Sequence, residues 1–173
     1  MYRRYVSGSH LELGVGTGYL LQQSGVTSDT RLALVDRHPA SLQVAGRQLR
    51  SAAPGLYRRD VLQPLRLGAR TFSSVGMNYL LHCLPGDITD KSVVFDHLQP
   101  HLAADAVIFG ATLLRCNDQQ TSLSSGLMKL YNATGVFSNS EDKLADLRTE
   151  LEERFRESHV EAVGSAAPFR AWP

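Results

Sequence analysis

The sequence predicts a doubly wound α/β fold, on three observations. Short apolar runs that end in an acid recur along the chain, at 31–36 and 55–60. Segments with helical apolar spacing alternate with them. The first strand-like run, "HLELGV", opens directly into a glycine loop, Gly14-Val15-Gly16-Thr17-Gly18. Five strands alternating with helices mean a mainly parallel sheet covered on both faces.

Each element has its own signal. "HLELGV" is the first strand, and a helix starts near Gly18. "RLALVD" (31–36) is the second strand. In the segment after it, Leu42, Ala45 and Leu49 share one helix face, and Pro39 suits a first turn. "GLYRRD" (55–60) and "TFSSVGMNYLL" (71–81) are strands three and four. Val93, Val94, Phe95 and Leu98 predict a helix over 90–101. "DAVIFGATLL" (105–114) is the most apolar strand and therefore central. "LSSGLMKLYN" reads as a helix. "SEDKLADLRTELEERF" is another, with Ser140 as its cap and Leu144, Leu147, Leu151 and Phe155 on one face. "SHVEAVGSAAPFRAW" supplies two closing strands as a hairpin around Gly164. Residues 1–173 read as one domain, without repeat or linker.

Composition removes several function classes. Lys+Arg number 18 and Asp+Glu 17, so no cationic surface invites nucleic acid or an acidic membrane. No apolar run reaches membrane-spanning length. The two cysteines, Cys83 and Cys116, are too few for a disulfide framework or a zinc site and fit a reducing, cytoplasmic setting. No two histidines have metal-pair spacing, so no metal is expected. The basic start "MYRRYVSGSH" runs at once into the first strand and is not expected to be a signal peptide.

The glycine loop sits where an open α/β sheet binds its ligand. Glycine lets backbone pass close beneath a ligand, and the following helix offers free N–H groups. Two cofactor families use such a loop. The dinucleotide fingerprint G-x-G-x-x-G/A fails at its last point, since Tyr19 stands where a small residue should pack. The alternative pattern, acid-x-G-x-G-x-G, is met in full by Glu12, Gly14, Gly16 and Gly18.

That pattern resembles motif I of the class I S-adenosylmethionine-dependent methyltransferases. The resemblance runs from about Leu11 to Pro173. It implies a seven-stranded, mostly parallel sheet in the order 3-2-1-4-5-7-6, with strand seven antiparallel. It implies S-adenosylmethionine as cofactor. Asp36, with Arg37 after it, would take the ribose hydroxyls; Asp60 and the backbone of Val61 would face the adenine. Asn78 would complete the cofactor site, and Tyr79 and His82, just past strand four, would face the substrate. His82 is the candidate base. "NYLLHCLPG", "KSVVFDHLQPHL" and "LMKLYNATGVFSN" further resemble small methyltransferases of microbial secondary metabolism, some of which methylate hydroxyls of polyketides such as pyrones. The implied substrate is a small hydroxylated aromatic or pyrone. Only about ten residues precede the first strand, fewer than such enzymes usually carry there. A short lid, an N-terminal segment outside this sequence, or a second subunit (a homodimer) would each account for that.

Plainer readings stand beside these. Glu12 is also a strand-end acid able to pair with a base, and Asp36 and Asp60 sit where helix caps are favoured. Asn78 and Tyr79 can simply begin a loop. A lone histidine such as His82 is more often structural than catalytic. Arg115 follows strand five and could meet an anionic substrate. Two rival functions remain at this level: an NAD(P)-dependent oxidoreductase of doubly wound fold, and an inactive methyltransferase-like binding protein.

Overall fold

The computed structural model describes residues 1–114 and 138–173. Arg115, Cys116 and the helix expected in 123–132 lie outside the described residues. Seven strands form one sheet: β1 (Ser9–Leu13), β2 (Arg31–Asp36), β3 (Gly55–Arg58), β4 (Phe72–Asn78), β5 (Leu102–Leu113), β6 (Glu157–Val160) and β7 (Ala166–Trp172). Their order is β3-β2-β1-β4-β5-β7-β6. The first five pair in parallel, while β7 runs antiparallel to both β5 and β6. The expected order and the antiparallel strand are both present.

Helices cover both faces, because alternate residues of each buried strand are apolar on both sides. Leu11, Leu13, Val35, Val75, Met77 and Ile108 point to one face. There they meet α4 (Ile88–Lys91), α5 (Val93–Leu98) and α6 (Leu144–Arg154) through Ile88, Phe95, Leu98, Leu147 and Leu151. Leu32, Leu34 and Phe109 point to the other, against α1 (Tyr2–Tyr5), α2 (Tyr19–Gln22) and α3 (Pro39–Gln48). Each fully buried Leu or Phe contributes roughly 1.5–3 kcal/mol relative to exposure.

Several boundaries differ from expectation, each for a local reason. Strand four ends at Asn78 rather than 81, because Tyr79 turns into the left-handed region at φ 57°. The helix expected over 90–101 is two short helices and a 3-10 turn, Gln99–His101, with Pro100 inside it. Helix α6 starts at Leu144, and Ser140 does not cap it. Asp142 is drawn inward to Lys91 instead, so residues just before the helix are tied to the core rather than wound into its first turn. Helix α1 was not expected at all. The chain moves from β1 to β2 and β3 on one side, then returns to β4 on the other. The crevice at that reversal is where open α/β sheets take their ligands.

Candidate active site

The glycine loop leaves β1 at the reversal point. Gly14, Gly16 and Gly18 have φ of 68°, 55° and 78°. These values cost an L residue roughly 1–2 kcal/mol each, which explains the glycines. At Gly18 there is a second reason: a Cβ would lie 3.1 Å from the Ala45 Cβ, so the residue also lets α2 lie close to α3. At Gly14 a Cβ would press on Leu80 Cδ1 at 2.8 Å, closing the crevice between the loop and the segment after β4.

A cleft of about 520 Å³ opens over this loop. Gly14, Gly16, Asp36, Arg37, Asp60 and Val61 line it, together with Tyr79 and Leu80. Asp36 is the last residue of β2 and is nearly buried. Its Oδ1 accepts the His38 N–H at 2.8 Å. Its Oδ2 receives only a long contact, 3.4 Å, from the Gly16 N–H. That oxygen keeps acceptor capacity toward the cleft, as a ribose diol requires. Asp60 lies two residues past β3, exposed, and Oδ1 accepts the Leu62 N–H at 3.0 Å. Both acids therefore serve their local turns and also face the cleft.

The structure does not bring every sequence-derived residue to that wall. Gly18 packs beneath it, and Asn78, half-buried at the end of β4, is not among the lining residues. Glu12 is buried and committed elsewhere. Its Oε1 accepts the Tyr2 hydroxyl at 2.5 Å and its Oε2 meets His10 Nε2 at 2.9 Å. His10 Nδ1 in turn meets Ser74 Oγ at 2.8 Å. Burial and the adjacent carboxylate push the Tyr2 phenol far above its ordinary range. Glu12 thus ties Tyr2 of the N-terminal helix to β1.

His82 lies behind the cleft rather than on its wall. It is 3% exposed and stands edge-on to Tyr79, with ring centroids 5.8 Å apart. Tyr79 is about half exposed and lines the cleft. His82 Nδ1 accepts the Leu113 N–H at 3.4 Å, which assigns the ring proton of the neutral form to Nε2. Burial first, and the Lys91 charge second, lower its pKa to about 4. At neutral pH the ring is uncharged and a poor proton acceptor.

Sequence reasoning missed the group beside it. Lys91 and Asp142 form a fully buried ion pair, with Nζ at 2.6 Å and 2.8 Å from the two carboxylate oxygens. Nothing in the pattern "ITDKSVVF" marks Lys91 as inward-facing. Cys83, Leu84, His38 and Arg59 also line the cleft. None of the four carries a local sequence signal that marks it as cleft-lining. No group of three metal-ligating side chains occurs among the described residues.

Comparison with known proteins bears on the family and the fold. No family model matches the chain. It is 36% identical over 173 residues to demethylluteothin O-methyltransferase of Streptomyces thioluteus, covering 99% of this chain and 75% of that one. The chain belongs to the S-adenosylmethionine-dependent methyltransferases. N-methyltransferase vrtF of Penicillium aethiopicum is 37% identical over 176 residues, with 98% of this chain and 71% of that protein covered. Among solved structures, DhpI in complex with SAH superposes with a TM-score of 0.67 at 15% identity, over 95% of this chain and 76% of that one. Other structures it matches are longer, and the chain covers as little as 48% of one. Membership decides between the two cofactor families that share a glycine loop, against the oxidoreductase. The two named relatives methylate different atoms, O and N, so family membership alone leaves the acceptor atom open.

Proposed function

We propose that this methyltransferase binds S-adenosylmethionine across Gly14, Gly16, Asp36, Asp60 and Val61 and methylates a hydroxyl of a small flat aromatic or pyrone-like molecule. The single observation that carries the reading is the cleft itself. Its lining combines polar groups, Asp36 with Oδ2 available and Asp60, with the side chains of Val61, Tyr79, Leu80 and Leu84. A nearly neutral chain with those apolar side chains in the cleft suits a small molecule rather than a polynucleotide. The residues present fit the cofactor, because a side chain at Gly14 would fill the cradle and Asp36 has an unspent acceptor.

When bound, S-adenosylmethionine supplies a methyl group already activated on a sulfonium. The chain's own task is to align the acceptor and exclude water, which can carry much of the rate. Asp36 holds the ribose end through charge-assisted hydrogen bonds. Tyr79 and Leu80 form the wall against a flat acceptor. His82 acts as a positioning residue behind Tyr79, in place of the base that the sequence suggested, since its basicity is low and Nδ1 is already engaged. An acidic hydroxyl, as on a hydroxypyrone, reaches such a site ionised. Among the described residues no helix is long and apolar enough to cross a membrane. We read residues 1–173 as one cytoplasmic domain, with a homodimer as the candidate assembly.

Calorimetry with S-adenosylhomocysteine and with NADH tests the cofactor. Asp36→Ala should weaken S-adenosylhomocysteine binding by about 1.5–3 kcal/mol, the loss expected for hydrogen bonds to a charged group. An unchanged dissociation constant in the folded variant overturns the ribose role. Methyl transfer to a panel of phenols and hydroxypyrones then tests the acceptor. Cofactor binding without turnover on any of them favours the inactive binding protein.

A further inference from the structure

Neither residue of the fully buried Lys91–Asp142 pair lines the cleft, and such pairs are poor devices for stability. Well-packed apolar residues in place of a buried pair are often as stable or more so. Its surroundings suggest what it does. Lys91 Nζ donates to the Ser138 carbonyl at 2.5 Å as well as to Asp142. The Ser138 N–H donates to the His82 carbonyl at 2.8 Å. On the other side, Asn139 Nδ2 donates to the Leu113 carbonyl at 2.9 Å, and the Leu113 N–H reaches His82 Nδ1. His82 is therefore gripped at its backbone by the Lys91 side and at its ring by the Asn139 side. Tyr79, which lines the cleft at φ 57°, rests edge-on against that ring.

We propose that Lys91 and Asp142 are positioning residues for the acceptor side of the site, fixing His82 and through it the ring of Tyr79. This rests on the methyltransferase reading only in calling that wall the acceptor side. The other titratable groups facing the pair are Cys83, Asp87 and Asp146. Lys91 also bears on His82 electrostatically, lowering its affinity for a proton.

The test is the double variant Lys91→Met/Asp142→Leu, which removes both charges and keeps the volume, so neither partner is left unpaired. Three readouts are compared with the parent protein. Labelled histidine reports the tautomer and titration of His82 by NMR. A 3-fluorotyrosine signal, assigned with Tyr79→Phe, reports the ring of Tyr79. Calorimetry reports S-adenosylhomocysteine. The proposal expects S-adenosylhomocysteine affinity within about twofold of the parent, a His82 titration moved toward its ordinary range, and a shifted or broadened Tyr79 signal. A folded double variant with unchanged His82 and Tyr79 signals overturns it and makes the pair merely structural. Loss of cofactor affinity equal to that of Asp36→Ala also overturns it, since the pair would then serve the whole cleft. If the parent itself fails to bind S-adenosylhomocysteine, the cofactor reading falls while the His82 and Tyr79 signals still decide the positioning role. If the double variant does not fold, Asn139→Ala is read in the same three ways from the ring side of His82.

Discussion

At the carboxyl ends of β1 and β2, the cleft is shaped by backbone. Three glycines at positive φ fall within residues 14–18, and Asp36 stands at the last position of a strand. At the carboxyl ends of β4 and β5, the wall is shaped by side chains brought from far apart. Lys91 and Asp142 are 51 residues apart in sequence, and Leu113 and His82 are 31 apart. The first region opens to solvent at Gly16, and its buried carboxylates, Glu12 and Asp36, are held by local partners: Tyr2 and His10 for the one, backbone N–H groups for the other. The second buries a lysine, an aspartate and a histidine within one network. The difference follows from the tasks proposed for them. The proposed cofactor site uses backbone shape and a strand-end acid close in sequence, while the proposed acceptor wall rests on contacts between residues far apart in sequence.

The sharpest way to break the comparison is to remove one charge from the second region. Lys91→Met alone leaves the Asp142 carboxylate buried without its partner and should cost about 3–5 kcal/mol of stability, read by urea denaturation. A loss below about 1 kcal/mol would mean that the pair is solvated and the region no different from the glycine side.

Acid should next distinguish the two regions. His82 titrates near 4 in the folded chain and near 6.5 when unfolded. Between those values the unfolded chain binds more protons, so stability falls as pH drops through that window, by roughly 3 kcal/mol in all from this group. His82→Asn should flatten the slope between pH 6.5 and 4 relative to the parent. Parallel stability–pH curves for the two proteins would place the acid sensitivity elsewhere.

The smallest effect belongs to the backbone-built region. Gly18→Ala meets both a left-handed φ and the Ala45 side chain, and should cost about 1–2 kcal/mol. The same denaturation experiment reads it. A neutral or stabilising result would show that the loop relaxes freely and that φ at Gly18 is not imposed by its neighbours.

The legible part of the molecule was the local part. An acid at the end of "RLALVD", a glycine loop after "HLELGV" and the leucine face of the last helix each express one element's own periodicity and turn chemistry. The strand order came from resemblance to a family, and the sheet has that order. Element ends were less legible. The start of α6 moved from Ser140 to Leu144 because Asp142 is spent on Lys91, a contact that no window around either residue displays.

The sequence by itself therefore determined the α/β alternation, the glycine loop and the acids that face the cleft. Those depend on φ preferences and side-chain periods that act over a few residues. Only the tertiary structure decided what Glu12, His82 and Lys91 are. Glu12 became an anchor for Tyr2 and His10, His82 a neutral ring behind Tyr79, and Lys91 a buried cation. The physical reason is the same in each case. A carboxylate, imidazole or ammonium takes its role from the dielectric and the partners around it, and those are supplied by residues distant in sequence.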